Sequence, residues 1–206
     1  MEQSPPSGKA IFKNIHTMEN NPGWQDAVQY LRERTRSIPD YPKPGIIFRD
    51  LTTIFQDERG MELALKMLSE LLVIQGSNGR IFDKLVGIES RGFVLAGGIS
   101  GKIGGGVVLA RKPGKLPFQK HRVEYELEYG EDAMEMHVDA IQPGERIVVL
   151  DDLLATGGTA EAACKLVEKL GGNIVKVLFL VELPELGGRE RLSKYRVDSI
   201  LEFSGH

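Results

Sequence analysis

The chain has 206 residues, 27% of them charged, and a formal net charge of −3. This length suits one domain with a substantial core, and the mildly acidic balance offers no broad footprint for nucleic acid or an anionic membrane. One cysteine, no apolar run of membrane-spanning length and no apolar signal core at the N-terminus lead to the expectation of a cytoplasmic protein.

Residues 1–23 are polar and rich in Ser, Pro, Gly and Asn, which reads as a disordered tail with Met18 as an alternative start; residues 24–206 read as a single domain. Trp24, Ala27, Val28 and Leu31 recur at helical spacing, predicting a helix over 24–36 that Pro39 ends, followed by a stiff turn at 41–45. Ile46, Ile47 and Phe48 before Arg49 and Asp50 read, taken alone, as a short strand with a charged end. Met61, Leu65, Leu68 and Leu72 predict a core helix over 60–75. A strand at 84–88 enters the turn G-I-E-S-R-G at 87–92 and a helix from about Phe93. The spacing is that of a nucleotide P-loop, but Phe93 and Val94 stand where Lys and Ser or Thr are required.

A strand at 106–110 leads to Arg111, Lys112 and Lys115, a cluster that suits an anionic leaving group and equally fits a solvated loop. Residues 117–122 have no period and read as a mobile loop. Tyr125, Leu127 and Tyr129 then alternate with glutamates, and Met136, Val138 and Ala140 alternate again after a turn at 130–133, predicting a β-ribbon. On pattern alone Glu128 is a solvent-face carboxylate. His16, His121, His137 and His206 show no zinc spacing, and His137 is expected to face solvent on the ribbon.

The densest signal is I-V-V-L-D-D-L-L-A-T-G-G-T at 147–159. A buried strand ends in Asp151 and Asp152, and the small residues Ala155, Thr156, Gly157, Gly158 and Thr159 open a helix that stops at Gly171 and Gly172. Backbone N–H groups at a helix start attract phosphate, while carboxylates accept hydrogen bonds from vicinal hydroxyls. The ligand class is therefore a phosphorylated pentose. Adjacent strand residues point to opposite faces, so both aspartates are expected to reach one sugar only if the backbone leaves strand geometry there. Cys164 sits on the apolar face of the helix and reads as a packed thiol. A strand at 174–181, a helix at 188–194 and a strand at 197–201 complete an α/β pattern, a mostly parallel doubly wound sheet flanked by helices.

The D-D-L-L-A-T-G-G-T element resembles the phosphoribosyl-diphosphate (PRPP) motif of the type I phosphoribosyltransferases. Y-P-K-P-G-I-I-F-R-D at 41–50, G-I-E-S-R-G-F at 87–93, and R-K-P-G-K-L-P at 111–117 leading into L-E-Y-G at 127–130 are most similar to the adenine-using branch. These motifs occur in the family's order from about Ile38 onward. The resemblance implies a type I phosphoribosyltransferase-like fold with a small N-terminal hood at about 24–55 and a flexible β-ribbon loop over the site. It implies transfer of ribosyl 5-phosphate from PRPP to N9 of adenine, giving AMP and diphosphate in purine salvage. It places the ribose at Asp151 and Asp152, the 5-phosphate at 155–159, and the diphosphate at Glu89, Ser90, Arg91, Arg111, Lys112 and Lys115. Adenine falls to Ile47, Phe48, Arg49 and Leu183, and catalysis to Glu128 and Tyr129. Mg²⁺ arriving with PRPP and a homodimer are also implied. The alternatives left open are another base, such as xanthine or orotate, and a PRPP-sensing regulator without turnover.

Overall fold

A computed structural model of the chain describes residues 15–18, 20–74, 79–126 and 131–204. A helical turn, α1 (Ile15–Met18), lays Ile15 and Met18 on the core, so packed structure begins inside the segment expected as a tail. Helix α2 spans Pro22–Arg34, earlier than the predicted 24–36. Asn21 accepts the Gly23 N–H at 2.9 Å and Pro22 takes the first position, two start signals that outrank the apolar spacing. Thr35 closes the helix, and Pro39 belongs instead to strand β1 (Arg36–Pro39), antiparallel to β2 (Ile47–Asp50).

After the short helix α3 (Thr52–Phe55), α4 runs Glu58–Glu70, its start capped by Asp57 on the Gly60 N–H at 2.8 Å. The predicted helix over 60–75 overran its end because Leu71 and Leu72 stay in the same core after the backbone has turned toward the Val73–Arg80 bridge. Gln75 lies outside the described residues.

Strand β3 (Lys84–Ile88), helix α5 (Arg91–Ile103) and strand β4 (Gly106–Ala110) form a parallel unit. Strands β5 (Lys120–Glu126) and β6 (Glu131–His137) make the expected ribbon. Its bounds differ from the expected ones: Lys120, His121 and Arg122, read as loop, pair with His137, Met136 and Glu135, residues 131–133, read as turn, are strand, and Val138 and Ala140, read as strand, follow its end. His137 is half-buried rather than facing solvent, its ring edge-on to Phe118 at 6.1 Å.

Strand β7 (Arg146–Leu154), helix α6 (Gly158–Lys169), strand β8 (Asn173–Glu182), a 3-10 turn at Pro184–Leu186, helix α7 (Gly188–Arg191) and strand β9 (Val197–Glu202) finish the chain. Helix α7 stops short of the predicted 194. The main sheet has the order β4-β3-β7-β8-β9, all parallel. Alternation divides its side chains between two cores. Val148, Leu150, Leu178 and Leu180 face α2, α4 and α5, while Ile147, Val149, Val177 and Phe179 face α6 and the ribbon. This double winding leaves the carboxyl ends of the central strands open for a ligand. No helix among the described residues is long and apolar enough to cross a membrane.

Candidate active site

At that open end lies a cavity of about 240 Å³ lined by Glu89, Arg91, Lys112, Asp151, Asp152, residues 153–160 and Phe179. The loop 155–159 forms its floor as β7 hands over to α6. Gly157 adopts φ +78°, and a Cβ there would lie 3.0 Å from the Gly188 carbonyl oxygen, so a side chain is excluded on both counts. The first N–H groups of α6 have no acceptor within the helix, and the residues that carry them, Gly158, Thr159 and Ala160, line the cavity.

Asp151 and Asp152 both line this cavity, and the backbone there stays in strand β7. Strand β7 loses its β3 partner after Leu150 but stays paired with β8 through Leu154, so one edge is free where the acid pair sits. The Asp152 N–H donates to Asp151 Oδ1 at 2.9 Å, and the buried Asp152 carboxylate is ion-paired with Arg91 from the start of α5. Burial and the charge of Asp152 push the Asp151 carboxyl well above its usual range.

The Glu89–Ser90 peptide bond is cis, and Ser90 is the residue before α5. Glu89 gathers the cation cluster. Its carboxylate accepts from Lys115 Nζ at 2.6 Å, the Lys112 N–H at 3.0 Å and Arg111 Nε at 3.2 Å. Burial opposes its ionisation, but these donors outweigh that and hold it at about 2. Lys112 alone of the three cations lines the cavity; Arg111 and Lys115 stand behind it, on Glu89.

Lys112 also reaches the ribbon. Its ammonium donates to Tyr125 Oη at 2.5 Å and is ion-paired with Asp132, while Thr159 Oγ1 of the phosphate loop donates to Tyr125 Oη at 3.4 Å. The Gly114 N–H donates to Glu135 Oε2 at 3.0 Å, so the cation loop and the ribbon are joined at several points. Glu128 and Tyr129 lie outside the described residues.

Ile47, Phe48, Arg49 and Leu183 do not line the cavity. Ile47, Phe48 and Arg49 form half-buried β2, where Phe48 meets Tyr41 edge-on at 5.3 Å. The Arg49 guanidinium is turned to Ser37 Oγ at 2.5 Å and the Ser204 carbonyl at 3.1 Å, and its backbone lies opposite Ser37 in the β1–β2 pair. Leu183 follows β8 and packs on the core. Residues the sequence reading missed at the site are Phe179, Tyr125 and Asp132. Phe179 was legible only as a core strand residue. Tyr125 was legible only as a ribbon position and Asp132 only as a turn residue, since their partners arrive from distant segments.

Residues 56–205 match the family described as Phosphoribosyl transferase domain. The adenine phosphoribosyltransferase of Agrobacterium fabrum is 51% identical over 173 residues, covering 83% of this chain and 93% of its own. The crystal structure of adenine phosphoribosyltransferase from Thermoanaerobacter pseudethanolicus matches with a TM-score of 0.80 at 43% identity, over 85% of this chain and 99% of that one. The Saccharomyces cerevisiae enzyme, solved with an imino-altritol bisphosphate and adenine, matches with a TM-score of 0.78 at 34% identity, over 85% and 99%. This chain belongs to the phosphoribosyltransferase family, within its adenine phosphoribosyltransferase branch.

Proposed function

We propose that the chain transfers the ribosyl 5-phosphate group of PRPP to N9 of adenine, releasing diphosphate and forming AMP. The observation that carries this reading is one cavity holding an acidic pair, a small-residue helix start and a lysine, groups complementary to ribose hydroxyls, phosphate and diphosphate. Breaking the C1–O bond leaves positive charge on the sugar. That step needs a stabilised leaving group and an oriented base more than a nucleophile.

In this reading Asp151 and Asp152 hold the ribose hydroxyls, and Ala155, Thr156, Gly157, Gly158 and Thr159 the 5-phosphate. Arg91, Lys112 and the Glu89–Ser90 peptide meet the diphosphate, with Arg111 and Lys115 reinforcing it. Ile47 and Arg49 offer backbone groups to the adenine edge, and Phe48 and Leu183 its two faces. Glu128, supported by Tyr129, accepts the purine proton as N9 attacks. Among the described residues no three carboxylate, imidazole or thiolate groups gather around a metal position. Diphosphate and ribose hydroxyls, with the Asp151 carboxyl at hand in the cavity, make an all-oxygen donor set suited to Mg²⁺. Bound there, the ion would neutralise charge on the leaving diphosphate. A homodimer in the cytoplasm completes the proposal, by likeness to the family.

The test is diphosphate release from PRPP and Mg²⁺ with adenine, hypoxanthine, guanine, xanthine and orotate in turn. Turnover with adenine alone supports the reading; turnover with another base, or with none, refutes it. In the same assay Glu128→Ala should lower kcat by roughly 10²-fold or more while PRPP still binds.

A further inference from the structure

Beyond the last strand, Phe203 is bound from several directions by side chains that the reaction does not otherwise use. Two guanidinium groups lie over its ring, Arg32 from α2 at 4.9 Å and Arg49 from β2 at 4.8 Å from the centroid. The flanking backbone is held by the same pair. Arg32 Nη1 donates to the Glu202 carbonyl at 2.8 Å, and Arg49 Nη2 to the Ser204 carbonyl at 3.1 Å. The Phe203 N–H donates to the Glu182 carbonyl at 3.0 Å. Arg49 Nε is buried with no hydrogen-bond partner among the described residues, so that guanidinium depends on the ring face and its terminal nitrogens for its position.

The placement in the chain gives these contacts meaning. Arg49 directly follows Phe48, and Glu182 directly precedes Leu183. The two residues that the proposed function sets on opposite faces of the base are thus each one residue from an anchor on Phe203. Strand β2 belongs to a two-stranded hairpin with no strand pairing to the main sheet, whereas Leu183 leaves the sheet itself. The base of the hairpin is tied to α2 and α3, whose Leu31 and Ile54 are buried in the core, which leaves the spacing of its Phe48 edge from Leu183 as the remaining freedom. A ring gripped by an arginine of the hairpin, and hydrogen-bonded through its own N–H to the end of β8, removes that freedom.

We propose that Phe203 is a positioning residue for base binding, holding β2 at a fixed spacing from Leu183 so that the slot between Phe48 and Leu183 is formed before a flat purine enters. The inference rests on the proposed function for the identity of the two walls. Phe203 does not line the cavity formed by the phosphate loop, Arg91 and Lys112, so its influence falls on the base and not on PRPP.

The experiment compares Phe203→Leu, Phe203→Tyr and Arg32→Gln with the wild-type enzyme in steady-state kinetics, varying adenine and PRPP separately. Leucine keeps apolar bulk but has no aromatic face for the cations. KM for adenine should rise roughly tenfold in Phe203→Leu, with kcat and KM for PRPP within about twofold of wild type. Tyrosine should restore adenine KM. Arg32→Gln, on the outer side of the clamp, should raise it by about threefold and serves if the leucine variant does not fold. An unaltered adenine KM in Phe203→Leu and Arg32→Gln, or a rise shared equally with PRPP, overturns the clamp. A wild-type enzyme that turns over no purine overturns the functional reading itself, a result distinct from an active wild type with unaltered variants.

Discussion

Gly92→Ala is the sharpest test of how the site is assembled. A Cβ at this position would lie 2.6 Å from the Leu150 carbonyl oxygen and 3.1 Å from Asp151 Oδ1. Ordinary C···O contacts are about 3.3–3.6 Å, so one side must move by roughly 0.7–1 Å. Leu150 cannot be the one, because at that point β7 is paired with β3 on one side and β8 on the other. The start of α5 must retreat instead, carrying Arg91 away from Asp152 and the Glu89–Ser90 peptide away from the cavity. Overpacking of this kind costs about 2 kcal/mol, which for a chain of this size lowers Tm by about 4–8 °C. Misplacement near 1 Å at a reacting centre costs on the order of 10²-fold, so kcat/KM for PRPP should fall about that far. Gly97→Ala on the same helix is the control, since nothing lies within 4 Å of its added Cβ. There alanine should leave activity intact and raise stability by up to about 1 kcal/mol. Calorimetric PRPP binding and thermal melting read both. Wild-type PRPP affinity in Gly92→Ala, or equal losses in the two variants, refutes the argument.

Three further outcomes are expected. Asp132→Asn removes a negative charge paired with the cavity lysine, so PRPP should bind about threefold to tenfold more tightly by calorimetry; weaker binding would show that Asp132 orients Lys112 rather than competing for it. Glu89, Asp50 and Asp83 are each held at about 2, below their ordinary values of 4.5, 3.8 and 3.8, by hydrogen bonds that outweigh burial. Depressed carboxylates contribute stability fully above the unfolded value and lose it as pH falls through the folded one, while the raised Asp151 opposes them in sign. Tm should therefore rise as pH falls through the raised Asp151 value and then fall steeply below about pH 4, and a profile with no fall down to about pH 3 would contradict the ion-pair assignments. Cys164 is buried on α6 with its thiol pushed up by burial, so a thiol reagent at pH 8 should label it only on unfolding. Labelling of the folded protein at the rate of a free thiol would refute that packing.

What could be read from the sequence follows the range of the interactions involved. The 147–159 stretch announced itself because strand, acids, loop and helix start are all neighbours along the chain, and the structure keeps them together. The ends of α4 and the extent of the ribbon were misjudged for one reason. Leu71 and Leu72 satisfy a helical period yet are buried from a turn, and Lys120 to Arg122 break the apolar alternation yet are held as strand by partners across the ribbon. Local pattern reports burial, and burial can be achieved by more than one backbone. The partners of the cations were not legible at all. Glu89 lies 22 residues from Arg111, Asp132 lies 20 from Lys112, and Asp152 lies 61 from Arg91, so only the fold can pair them.

Those pairings change how the proposed site must work. Read along the chain, Arg91, Arg111, Lys112 and Lys115 look like free positive charge awaiting an anion. In the fold each is already matched, Arg91 by Asp152, Arg111 and Lys115 by Glu89, and Lys112 by Asp132. Four unmatched cations around one half-buried cleft would repel each other, and the carboxylates remove that repulsion while fixing where each cation sits. The cations are partly exposed, but the Asp152 carboxylate is buried and that of Glu89 nearly so, and a cation can therefore turn to a diphosphate at small cost only where its carboxylate finds another donor. The gain is cations already in place when negative charge develops on the leaving group, which is where preorganised electrostatics lowers a barrier most. PRPP capture is on this view an exchange of partners. The carboxylates are not equivalent: in the proposed site Asp152 has the ribose hydroxyls to turn to, whereas Glu89 also accepts the Lys112 N–H, a bond that does not depend on the cations.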